Sequence, residues 1–170
     1  MPTKPAMLKL LEATEIPKNT GRKNVLKKGQ EYSHSMVLGK VKMMYGKGCA
    51  QSRHNEKNKE LLKACRAFMK QHDPKYRFDA VTINKNHASA KHIDRQNKGH
   101  SYIIGLGNYT GGELVFTDKK SPHHGVHNIK NRWLKFTGDT EHYVKPFTGL
   151  RYTLVFYRWN TCGGKNAKKK

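Results

Sequence analysis

This sequence predicts a mainly β fold with a flanking helix, its strands arranged as a double-sheet jelly roll. The first ground is a change of pattern at Arg77, after which short β-rich runs alternate with turn residues. The second is their number: six clear runs and two weaker ones make eight, the count that a double-sheet jelly roll requires. The third is that one segment upstream carries a strong helical apolar stripe. At 170 residues and 19.5 kDa the chain fits one compact domain.

The elements follow in order. Residues 1–77 form a basic N-terminal segment. Its first 30 residues mix Lys, Asn, Gly and Pro with short apolar patches, Met7-Leu8 and Leu10-Leu11, and read as an arm or covering segment. Ser35 to Met44 is a candidate strand, and the chain turns around Tyr45 to Gly48. Asn55 to His72 is an amphipathic helix expected to pack on the core. Leu61, Leu62, Cys65, Phe68 and Met69 fall on one face, and Lys57, Lys59, Lys63, Arg66 and Lys70 on the other. Ser52 or Asn55 can cap its start, and Asp73-Pro74 stops it. Residues 78–160 hold the jelly roll: runs at 78–84, 101–106, 113–116, 132–136, 142–147 and 151–157, with Ser89 to Ile93 and Val126 to Ile129 as the weaker candidates. Asn108 to Gly112 reads as a Gly-rich turn reversing the chain between strands. Residues 161–170 are a basic tail.

Charge narrows the function classes. Lys and Arg total 34 against 12 acidic residues, a formal charge of +22. Residues 1–77 hold 18 basic and 6 acidic residues, and residues 78–160 hold 12 and 6. So large an excess repels itself unless a polyanion compensates it, which favours nucleic acid over a merely solvated surface; for the lysines of the tail alone, solvation suffices. No apolar run approaches a membrane span, and Met1 to Leu11 lacks the pattern of a signal peptide. Cys49, Cys65 and Cys162 are odd in number, far apart and never C-x-x-C, which argues against a disulfide scaffold or thiolate zinc site and for a reducing, intracellular setting.

One ordered constellation carries chemistry. His92-Ile93-Asp94 puts an imidazole and a carboxylate at i and i+2, on one face of an extended chain. His142 opens a later strand, and Arg151 and Thr153 share a face of the last. Two histidines and a carboxylate can cap one face of an octahedral Fe(II) and leave positions open; a buried arginine nearby needs an anion, with a carboxylate its natural mate. The other residues have plainer readings. His123, His124 and His127 crowd in a loop holding Pro122 and Gly125, without a cysteine or carboxylate. His87 and His100 are polar loop residues at the barrel mouth. Asp139 or Glu141 can orient the second nitrogen of His142 or simply occupy a turn. Trp133 and Phe136 belong to the core, and Tyr109, Tyr143 and Trp159 are candidates for stacking on a base.

The stretch from Ala80 to Tyr157 resembles the double-stranded β-helix core of the Fe(II)/2-oxoglutarate-dependent dioxygenases. INKNHASAKHIDRQNKGHSYIIGLGNYTGGELVF, then W-x-x-F, then H-Y-V-x-P-F-x-G-x-R-Y-T-L-V-F-Y is most similar to the TET/JBP branch, which oxidises the 5-methyl group of pyrimidines in DNA. The resemblance covers about half the chain. It implies His92, Asp94 and His142 as iron ligands and Arg151 as the clamp on the distal carboxylate of 2-oxoglutarate. It also implies Thr153 beside that clamp, with Asn84, Ser101 and Tyr102 lining the cosubstrate pocket. The cofactors it implies are Fe(II) and 2-oxoglutarate, with O2 as cosubstrate and ascorbate in support. Decarboxylation to succinate is coupled to hydroxylation of a C–H bond. The implied substrate is 5-methylcytosine, or thymine, in DNA, at whatever cellular site holds that DNA, the nucleus included. Two alternatives stand beside it: a hydroxylase of a protein side chain or methylated RNA, and an inactive basic nucleic-acid-binding protein. The chain lacks room for the Cys-rich extension of animal members, so residues 1–77 and the loops at the barrel mouth are expected to grip the substrate.

Overall fold

The computed structural model describes residues 2–43, 48–160 and 162. The Thr3 hydroxyl accepts the Ala6 N–H and opens helix α1 (Lys4–Glu12), which buries Met7 and Leu11. The first residues are therefore a covering helix rather than a loose arm. A short strand β1 (Lys18–Asn19) and a single 3-10 turn (Lys23–Val25) lead to β2 (Ser33–Lys42) and β3 (Cys49–Gln51). Helix α2 (Lys59–His72) is followed by β4 (Ala80–Lys85), β5 (Ser101–Leu106), β6 (Tyr109–Gly111) and β7 (Leu114–Phe116). The chain ends its regular structure with β8 (Gly125–His127), β9 (Leu134–Phe136), β10 (His142–Val144), β11 (Phe147–Gly149) and β12 (Tyr152–Tyr157).

A major sheet runs β1-β2-β4-β12-β5-β9, with β3 on the free part of β2; β10-β7-β8 form a minor sheet and β11-β6 a two-stranded ribbon. Every strand pair is antiparallel. This is the expected jelly roll. The pleat separates two tasks. Tyr152, Leu154 and Phe156 of β12, with Val81 and Ile83 of β4 and Ile104 of β5, pack against α1 and α2 in one apolar cluster. The intervening residues point the other way, where Ile103 and Val155 meet Leu114, Phe116 and Val144 of the minor sheet.

Several boundaries differ from the sequence reading, each for a local reason. Helix α2 begins at Lys59 with Asn58 in the cap position, because Ser52 and Asn55 are engaged elsewhere. The Ser52 hydroxyl donates to the Val37 carbonyl at 2.6 Å, and the Asn55 side chain brackets Gly39, accepting its N–H at 2.8 Å and donating to its carbonyl at 2.9 Å. Both residues staple the helix lead-in to β2. The run at 142–147 splits at Lys145-Pro146 into β10, paired with β7, and β11, paired with β6, so Asn108 to Gly112 contributes a strand as well as a turn. Ser89 to Ile93 makes only the single bridge His92–His142. The proposed turn at 45–47, and the tail apart from Cys162, lie outside the described residues.

The cysteine reading needs correction. Cys49 and Cys162 form a disulfide, and only Cys65 is a free thiol, buried in the core and pushed up to about 12 by that burial. Trp159 explains how the two meet: its backbone N–H donates to Asp79 Oδ2 and its indole N–H to the Lys40 carbonyl at 2.9 Å, docking the chain end beside the β2–β3 hairpin. Spacing alone cannot show such a meeting. No helix among the described residues is long and apolar enough to cross a membrane.

Leu154, fully buried between the major sheet and the helices, anchors this architecture. Leu154→Ala is expected to cost about 2–5 kcal/mol in denaturant unfolding, whereas Val126→Thr, at a position 55% exposed, is expected to stay within about 0.5 kcal/mol.

Candidate active site

Between the two sheets lies a cavity of about 780 Å³. The major sheet lines it with Thr82, Asn84, Phe136, Thr153 and Val155, and the minor sheet opposite brings Leu114 and Val144. Its charged lining is mostly basic: Arg22, Lys42, Lys91, Arg95 and Arg151 against Asp94 and Glu141. An anionic ligand suits it.

His92, Asp94 and His142 converge here. The backbones of His92 and His142 exchange two hydrogen bonds of 3.0 Å, and the Asp94 N–H donates to the Gly138 carbonyl at 2.8 Å, which fixes the i, i+2 pair against the start of β10. His92 Nδ1 lies 2.7 Å from the Ala90 carbonyl and His142 Nδ1 2.8 Å from the Thr140 carbonyl. A carbonyl only accepts, so each Nδ1 carries the proton and each Nε2 turns a lone pair inward. His92 Nε2 stands 3.6 Å from Asp94 Oδ1 and His142 Nε2 3.3 Å from Asp94 Oδ2. All three donor atoms lie within 4.8 Å of one another, close enough to share one ion. Phe116 stacks on His142 at 5.2 Å and keeps that side dry.

The electrostatics keep the donors available. Burial lowers the His92 imidazole below its ordinary value, against the pull of Asp94. For Asp94 burial pushes upward, but the neighbouring His142 and His92 rings and the Arg22 guanidinium outweigh it and hold the carboxyl low. Gly138 is fitted to this carboxylate: a Cβ there would sit 2.8 Å from both Asp94 Cβ and Oδ2. Two imidazoles and one carboxylate on one face are a donor set suited to ferrous iron with open positions.

Arg151 is 1% exposed. Its Nη1 donates to the His87 carbonyl at 3.0 Å and its Nη2 to the Gly112 carbonyl at 2.9 Å, while Nε has no partner. The rings of Tyr109 and Phe147 lie 5.4 and 5.6 Å from the guanidinium carbon. Burial pushes the Tyr109 phenol up, so it stays protonated and supplies no counter-charge; Glu113 acts on Arg151 only from beyond ion-pair distance. A buried cation with neutral partners is costly, and the unused donors fit an incoming carboxylate. Gly112, at φ +70, permits the approach, since a Cβ there would lie 2.6 Å from Arg151 Nε.

Of the other candidates, Thr153 and Asn84 line the same cavity, and the Asn84 amide donates to the Thr153 hydroxyl at 3.1 Å. Ser101 is fully buried on β5 and does not line the cavity. Tyr102 lies on the opposite face of that strand, in the helix-side core, where its hydroxyl donates to Asp73 Oδ2 at 2.7 Å; the pleat carries it away from the cavity. Tyr109 is 2% exposed beneath Arg151 and cannot stack on a base, whereas Trp159 lines the cavity. The backbone carbonyl of Thr140, not Asp139 or Glu141, orients His142, and Glu141 instead accepts the Thr117 hydroxyl at 3.0 Å. His123 and His127 pack their rings against Phe116; among the described residues the His92–Asp94–His142 group is the one cluster of metal-ligating side chains.

Sequence reasoning underrated two residues. Arg22, from the N-terminal segment, reaches Asp94 Oδ1 at 3.6 Å. His87, at 4% exposure, lines the cavity and leaves both ring nitrogens unpartnered; burial, then Arg22 and Arg151, push it down to about 4. A signal for His87 did exist, its place directly after the strand end that faces Arg151. No local pattern marks Arg22.

No family model matches the chain, and no curated protein does. Solved structures do. An oxidoreductase of the 2OG-Fe(II) oxygenase family from Burkholderia pseudomallei aligns with a TM-score of 0.60 and 19% identity, over 93% of this chain and 81% of that one. NgTET1 in complex with 5mC DNA aligns with a TM-score of 0.55 and 16% identity, over 79% of this chain and 67% of that one. The fold is that of the 2OG-Fe(II) oxygenases, TET-like structures among them.

Two outcomes follow from this geometry. Gly138→Ala displaces the Asp94 carboxylate and is expected to weaken Mn(II) binding, measured by titration calorimetry, at least about tenfold. The pH effect comes from His87: its folded value near 4 lies below the ordinary 6.5, so between these values the unfolded chain binds the extra proton. Stability is therefore expected to fall by about 3 kcal/mol as the pH drops from 6.5 to 4, and His87→Gln, compared by denaturant midpoints at each pH, is expected to remove that part of the slope.

Proposed function

We propose that this chain is an Fe(II)/2-oxoglutarate-dependent dioxygenase that oxidises the 5-methyl group of a pyrimidine in DNA, 5-methylcytosine before thymine, to hydroxymethyl. One observation carries the reading: a single cavity holds two inward-facing imidazole nitrogens, a carboxylate and a buried guanidinium without a carboxylate partner. In this reading His92, Asp94 and His142 hold the iron, and Arg151 holds the distal carboxylate of 2-oxoglutarate. The Thr153 hydroxyl, steadied by the Asn84 amide, adds a hydrogen bond beside it. Bound iron and 2-oxoglutarate supply, with O2, oxidative decarboxylation and the hydroxylation of a C–H bond. The protein's own part is placement and dryness: the carbonyls of Ala90 and Thr140 fix the two rings, and Leu114, Phe136, Val144 and Val155 give the cavity an apolar lining that excludes water.

Three features favour nucleic acid as substrate. The formal charge is +22, and the cavity lining adds Lys42, Lys91 and Arg95 to Arg22. The N-terminal segment delivers Asn19, Arg22 and Asn24 to the cavity, in keeping with a grip on substrate by residues 1–77. Trp159 gives the cavity an aromatic face for a base that has left its stack. The likeness to NgTET1 in complex with 5mC DNA supports DNA over RNA or a protein side chain.

With Fe(II), 2-oxoglutarate and ascorbate, an oligonucleotide bearing 5-methylcytosine is expected to gain the mass of one oxygen atom while succinate accumulates. His92→Ala and Arg151→Leu are expected to reduce both at least about 100-fold. Succinate released only with a protein or RNA substrate overturns the DNA assignment. Its absence with every substrate overturns the chemistry.

A further inference from the structure

We propose that His87 is a second contact to the cosubstrate, its ring N–H donating to the distal carboxylate that Arg151 holds, so that the clamp is a histidine–arginine pair. The inference rests on the dioxygenase reading and adds to it a residue that the resemblance does not supply.

The backbone around His87 is built for this placement. Asn86 adopts φ 49, in the left-handed region, at the end of β4, and thereby turns the chain toward the cavity. Arg151 secures that corner three times. Its N–H donates to Asn86 Oδ1 at 2.8 Å, its carbonyl accepts the Asn86 N–H at 2.7 Å, and its Nη1 donates to the His87 carbonyl at 3.0 Å. One residue thus presents a guanidinium and fixes the peptide that carries the imidazole.

The ring itself has no structural employment. It is 4% exposed and lines the cavity, yet neither nitrogen has a hydrogen-bond partner. Arg151, 1% exposed, lines the same cavity, and its Nε is unpartnered as well. Two residues that line one cavity and each leave buried polar atoms open are costly unless a ligand closes them. Burial and the charges of Arg22 and Arg151 keep the imidazole neutral at pH 7, so it offers one N–H donor without adding a charge. The carboxylate that neutralises Arg151 has lone pairs to spare for that donor.

Titration calorimetry on the Mn(II)-loaded protein tests the assignment, with 2-oxoglutarate and with oxalate, which has the chelating pair of oxygens but no distal carboxylate. His87→Leu is expected to weaken 2-oxoglutarate about tenfold and to leave oxalate unchanged, a split that a merely structural role would not produce. His87→Gln, which keeps an N–H donor, is expected to recover most of the affinity. In the unsubstituted protein loaded with Zn(II), the His87 ring nitrogen resonances are expected to move with 2-oxoglutarate and to stay with oxalate. Native-like 2-oxoglutarate affinity in His87→Leu, equal losses for both ligands, or unmoved ring resonances overturn the His87 contact alone. Failure of the unsubstituted protein to bind 2-oxoglutarate overturns the dioxygenase reading beneath it as well.

Discussion

A guanidinium sealed inside the protein without a carboxylate beside it is the constraint around which the cavity is organised. Arg151 precedes β12 and ties together the end of β4, through Asn86 and His87, and the β6–β7 connection, through the Gly112 carbonyl. Neutral dipoles and ring faces orient the charge but do not cancel it. The glycine at 112 and the left-handed asparagine at 86 make sense as backbone adjustments that let the chain close around this side chain.

The major sheet makes the arrangement affordable. Its outer face buries a large apolar cluster under α1 and α2, and this supplies the stability that the polar inner face cannot. The inner face is then free to carry Asn84, Thr153 and Arg151 toward the minor sheet, where His142 begins β10 and draws His92 and Asp94 onto it through backbone pairing. Fold and site depend on the same register. Moving β12 by one residue would send Thr153 into the helices and Leu154 into the cavity.

The parts legible in the sequence were those written in local periodicity or in an ordered motif. The stripe of α2 and the β-rich runs that become β4, β5 and β12 announce themselves, and His92, Asp94, His142, Arg151, Thr153 and Asn84 all come to one cavity. What escaped was decided by partners distant in sequence. Ser52 and Asn55 look like helix caps but bond to β2. Tyr102 shares a strand with cavity residues, yet the pleat gives it to the helices. Cys49 and Cys162 meet because Trp159 docks on Lys40 and Asp79, and Arg22 arrives from a segment with no regular pattern. His87 looks like an ordinary loop histidine until its burial is known.

The central claim is one of convergence: an ion and a small diacid share this cavity, held at opposite ends by side chains from the two sheets. A crystal structure with Mn(II) and 2-oxoglutarate tests it most directly. The account predicts one ion ligated by His92 Nε2, an Asp94 oxygen and His142 Nε2, with the far carboxylate of 2-oxoglutarate against Arg151. An ion bound elsewhere, or a diacid whose far carboxylate leaves Arg151 unpaired, would contradict it.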